Sequence, residues 1–101
     1  MTDLLLVLLD TGRPRDALEI AQPAYDALPE LGAFEGATQL RLAYARALFE
    51  TGNAEAGRIA LREAQALVVA HADRIADAKV RASFLATPDN AATLALAKTN
   101  L

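Results

Sequence analysis

The sequence predicts an all-α protein made of antiparallel helical hairpins, and three observations carry that expectation. Hydrophobic residues make up 53% of the 101-residue chain but aromatics only 5%, so the apolar content is mainly Ala and Leu, both strong helix formers. The β-branched residues that strands need are scattered singly or paired as Val68 and Val69, and no run reads as a strand. Finally, Leu8-Leu9-Asp10-Thr11-Gly12 returns as Leu48-Phe49-Glu50-Thr51-Gly52 at an offset of 40 residues, each time closing an apolar helical segment.

A first short helix over Asp3 to Asp10 is closed by Thr11-Gly12-Arg13-Pro14, which also places a proline in the first turn of the next helix, where its missing N–H costs nothing. That second helix, Pro14 to Leu28, carries Ala17, Leu18, Ala21, Ala24, Tyr25 and Leu28 on one stripe. Pro23 within it predicts a kink or break near Glu19 to Pro23. Pro29 to Gly36 reads as a loop, and helical spacing resumes from Thr38 to Phe49. Thr51-Gly52-Asn53 stops it, with Asn53 as the expected N-cap of a long helix from Ala54 to about Arg74. Asp77 caps a short helix carrying Val80, Phe84 and Leu85, and Thr87-Pro88-Asp89 opens a last one carrying Leu94, Leu96 and Ala97.

The 40-residue period with two helices per unit belongs to the α-solenoid class. Gly12, Ala17, Ala24 and Pro29 in the first unit, and Ala45, Leu48, Gly52, Gly57 and Ala64 in the second, resemble the tetratricopeptide repeat. That motif places Gly at the turn between paired helices, small residues at set places and a closing Pro. Arg41 departs from the pattern where a large apolar residue is usual, and Val69 stands where the second closing Pro would be. The tail Arg81-Ala82-Ser83-Phe84-Leu85 with Pro88-Asp89-Asn90 resembles the ends of repeat tails on large bacterial serine/threonine kinases.

The resemblance implies one domain over residues 1–101, with a truncated first unit at 1–31, a second unit at 38–75 and capping helices at 78–98. It further implies a protein or peptide partner held on a concave face formed by the first helix of each unit. Leu6, Leu9 and Asp10 would line that face from the first unit, and Leu42, Arg46, Phe49 and Glu50 from the second. The other reading of the same residues is a core lying beneath the C-terminal helices.

Charge and residue chemistry narrow the function classes. A formal charge of -3 disfavours nucleic acid, which calls for a basic face, and Arg58 and Arg62 lie beside Glu55 and Glu63. With one His, no Cys and no phosphate-cradling glycine loop, the sequence offers no catalytic, cofactor-binding or metal-ligating constellation. His71 lies near a helix end, and Asp73 falls on another face. Tyr25 and Tyr44 read as core residues with hydroxyls at the edge. The apolar run Leu4 to Leu9 lacks a basic leader and is far shorter than the ~20 residues that span a bilayer, so a cytoplasmic, membrane-free protein is expected. That same apolar helix needs cover. A second copy, giving a homodimer, is the favoured source, and an upstream repeat of a longer chain is the other.

Overall fold

Each of the two predicted hairpins is closed by the same turn. In the computed structural model, which describes residues 2–31 and 37–101, α1 (Thr2–Asp10) leads into α2 (Pro14–Asp26), and α4 (Ala37–Glu50) leads into α5 (Ala54–Asp73). Gly12 and Gly52 adopt φ of 77° and 86°, the left-handed conformation that glycine enters without steric cost. At the first turn the Gly12 N–H donates to the Leu9 carbonyl at 3.2 Å and the Arg13 N–H to Leu8 at 2.7 Å. At the second, Gly52 donates to Phe49 at 3.2 Å and Asn53 to Leu48 at 2.8 Å. This is the paired Schellman pattern, which satisfies carbonyls that a helix end leaves orphaned. Thr11 and Thr51 add matching bonds, their hydroxyls donating to Val7 and Ala47 at 2.7 Å each.

Between the hairpins lies α3 (Leu28–Leu31), a single turn, and after them come α6 (Ala78–Ala86) and α7 (Pro88–Asn100). The described residues contain seven helices and no strand. α1 packs against α2 and α4, α2 against α4, and α4 against α5 and α7, while α5 also meets α6 and α7. The core at these crossings combines leucines with small residues. Leu5, Leu40 and Leu61 are fully buried, and Ala17, Ala21, Ala45 and Ala47 are equally inaccessible, which lets the helix backbones approach closely.

One crossing differs between the units by a compensated exchange. A Cβ on Gly57 would lie 3.0 Å from two carbons of the Phe49 ring, so glycine makes room for the aromatic. The corresponding residues of the first unit are Leu9 and Ala17, both buried: a smaller partner and a larger one.

Several local expectations need correction. α2 runs continuously through Pro23 and stops at Asp26, rather than breaking near Glu19 to Pro23 or reaching Leu28. The N–H of Ala27 still reaches the Pro23 carbonyl at 3.1 Å, so the turn after the proline closes normally. Pro29 belongs to α3 rather than to a loop; the rest of that expected loop, residues 32–36, lies outside the described residues. Asn53 stands at the N-cap of α5 without capping it; its side-chain NH2 donates to the Thr51 hydroxyl at 2.9 Å. Asp77 does cap α6, accepting from the N–H groups of Lys79 at 2.8 Å and Val80 at 3.1 Å.

Candidate functional site

The hollows that adjoin the expected residues lie between α4 and α7, and α1 reaches their edge through the Asp10 carboxylate, 3.7 Å from Arg46. On α1 itself, Leu6 is half-buried and Leu9 is buried. α4 contributes Leu42, which is buried, the half-buried Arg46 and Phe49, and Glu50, which is exposed. Across from them α7 presents Leu96, giving two adjoining hollows of about 180 and 390 Å³. Arg46, Phe49, Glu50, Leu96 and Asn100 line the first, and Leu42, Arg46, Ala92 and Leu96 are among those lining the second. The two readings of these residues are therefore divided along the helix. Leu9 and Leu42 are core, whereas Arg46, Phe49 and Glu50 remain at the open mouth.

Arg46 borders both hollows. Its guanidinium lies 3.7 Å from the Asp10 carboxylate of α1, a long and largely solvated pairing of little energetic weight. Arg46 can therefore turn to a ligand without leaving a buried charge behind. Around it the mouth carries the Glu50 carboxylate and the Asn100 side chain, whose amide donates to the Leu96 carbonyl at 2.9 Å. The site thus pairs an apolar floor with both signs of charge at the rim.

A second seam lies between α2, α4 and α5. Tyr25 and Tyr44 stack at 4.0 Å with ring planes 20° apart, within the range where aromatic pairs attract. Tyr25 donates to the Glu63 carboxylate at 2.7 Å, and Tyr44 donates to the Gln22 side-chain oxygen at 3.0 Å. Burial, then hydrogen bonding to Glu63 and the charge of that carboxylate, push the Tyr25 phenol well above its ordinary value. The seam ties α2 to α5 across α4. A phenol so strongly held in its neutral form has no proton to give near neutrality.

Among the described residues no three His, Asp or Glu side chains converge as a metal site. His71 is exposed in the last turn of α5 with Phe84 of α6 beside it, ring centroids 6.2 Å apart. No helix among the described residues is long and apolar enough to cross a membrane. Comparison with family profiles, with curated proteins and with solved structures finds no match to this chain.

Leu96, Thr99 and Asn100 were not expected at the site. The helical stripe through Leu94, Leu96 and Ala97 signals an apolar face on the last helix, and the fold brings that face back against α4. The missing signal is the tie that directs α7 there. The Arg81 side chain donates to the carbonyls of Ala72 at 3.2 Å and Ile75 at 2.6 Å, and Asn90 donates to the Phe84 carbonyl at 2.9 Å. Bonds to backbone carbonyls leave no periodicity in a sequence.

Proposed function

We propose that the chain is a non-catalytic protein-interaction module of tetratricopeptide-like type, and that the face between α4 and α7 takes a peptide or helix of a partner protein. The observation that carries this reading is the pair of adjoining hollows sharing Arg46 and Leu96. An apolar side chain of the partner enters beside Leu42 and Leu96, while polar groups flanking it meet Arg46, Glu50 and Asn100. The matched turns at Gly12 and Gly52 support the solenoid reading, because they give the two hairpins the same geometry at a fixed repeat.

Peptides selected from a display library on the folded chain provide the test. Arg46→Glu and Leu96→Glu should each weaken the selected peptides at least about tenfold, as expected when one anchor of a small interface is removed. Both changes should leave the helical circular dichroism intact. Selected binders indifferent to both substitutions would overturn the reading. A chain that is dimeric by light scattering at every concentration, and monomeric after Arg46→Glu, would instead assign the groove to a second copy and make the module one of self-assembly.

A further inference from the structure

Asp10 and Glu50 occupy the same position of the two units, at the 40-residue offset. Each is the last residue of its helix, and neither α1 nor α4 has a basic residue in its last turn. That is the negative end of the helix dipole, where a cation is favoured and a carboxylate is not. At the mouth of the hollows Asp10 lies 3.7 Å from Arg46, so it offsets the charge of that guanidinium. Nothing offsets Glu50, which is exposed and forms no ion pair among the described residues. α7 brings another helix end to the same place. One hollow takes Glu50 together with Asn100, the other Leu42 together with Ala92, so α4 and α7 run in the same direction along the groove and end together. Lys98, the basic residue in the last turn of α7, lies roughly 200° around that helix from Leu96 and lines neither hollow. Arg41 lines the hollow beside Tyr25 and Glu63 instead.

We infer that the partner segment held between α4 and α7 is basic: it carries a Lys or Arg beside its apolar anchor, and that cation meets Glu50 where α4 and α7 end. The inference rests on the groove reading and adds the charge of the partner to it. A carboxylate at the wrong end of a helix weakens the free chain, and a bound cation relieves it, so the same group that disfavours the free fold favours the complex. The apolar hollow at Leu42 and Leu96 accepts many side chains. The charge at its mouth decides among the segments that carry them, because complementary charge acts on specificity and association rate more than on affinity.

The test uses random peptides displayed against the folded chain. Binders that depend on the groove, recognised by a loss of at least about tenfold with Leu96→Glu, should carry Lys or Arg more often than Asp or Glu next to a large apolar residue. Glu50→Gln should weaken them about threefold and Glu50→Lys about fivefold or more, with the native affinity falling as salt is raised. A binder whose Lys or Arg is exchanged for Glu should prefer the Glu50→Lys chain to the native one. Both Glu50 variants should raise the folded-to-unfolded ratio of the free chain about twofold, which separates lost binding from lost folding. Groove-dependent binders without a basic excess, or unaffected by Glu50→Lys, would overturn this inference and leave the groove reading standing. Binders that all survive Leu96→Glu would overturn the groove reading and this inference with it.

Discussion

The two hairpins and the C-terminal pair of helices are held in place by different forces. α1, α2, α4 and α5 meet through leucines and alanines with little or no exposure, and their turns are stereochemical copies. α6 buries no residue at all, and the buried positions of α7 are Asn90, Thr93 and Ala97. α7 joins the apolar core through Ala97, with Leu96 packed against it, and directed bonds fix the turns on either side of α6: Arg81 reaches carbonyls at the end of α5, and Asn90 holds the Phe84 carbonyl. Apolar packing is tolerant of detail and strong in sum, whereas a hydrogen bond fixes a direction and adds little net energy.

The largest effect that would break this contrast is a truncation in each region. Leu61→Ala should cost about 3 kcal/mol in chemical denaturation, as for a fully buried leucine, and the half-buried Leu85→Ala of α6 less than about 1 kcal/mol. Equal costs would mean that α6 is packed as tightly as the hairpin core. Next in size, Arg81→Met removes the charged donors to Ala72 and Ile75 and should cost about 2 kcal/mol. Amide hydrogen exchange sharpens that result. Protection should fall in α6 and α7 while α1, α2 and α4 keep theirs, and a uniform fall would show that the whole chain unfolds as one.

The smallest expected effect concerns the one polar bridge inside the hairpin region. Because the folded state holds the Tyr25 phenol above its ordinary value, the unfolded chain loses this proton first, near pH ~10. The stabilisation is complete below that pH and is lost as pH rises beyond it. The native chain should therefore lose stability above pH ~10 more steeply than Tyr25→Phe, with denaturant midpoints as the readout. Parallel curves would show that burial beside Glu63 does not hold the Tyr25 phenol neutral in the folded chain.

Much of the fold was legible because helix punctuation is local. Gly12 and Gly52 announce left-handed turns, Pro14 and Pro88 sit in first turns, and Asp77 caps as its side-chain chemistry suggests. Asn53 escapes the same logic. Its side chain turns back instead, the NH2 donating to the Thr51 hydroxyl, which is itself bound to Ala47 and Leu48. Of the site, the α4 residues were legible from the repeat, since an offset of 40 assigns Arg46 and Phe49 to the same side as Leu6 and Leu9. Burial along that side was not. Period 3.6 identifies an apolar face without naming what lies against it, so it cannot tell that Leu42 sits under α7 while Glu50 stays open.

The exchange of Leu9 with Ala17 for Phe49 with Gly57 bears on how such a chain can change. Each member of a pair is acceptable only beside its own companion. A ring moved alone beside Ala17, or a methyl added alone to Gly57, overfills a close crossing, whereas the two moved together do not. The smallest piece of this molecule that can be traded between positions without loss is therefore the turn with both of its flanking helices. A unit copied as a whole hairpin keeps both members of its pair together, and so keeps the crossing filled without overfilling it.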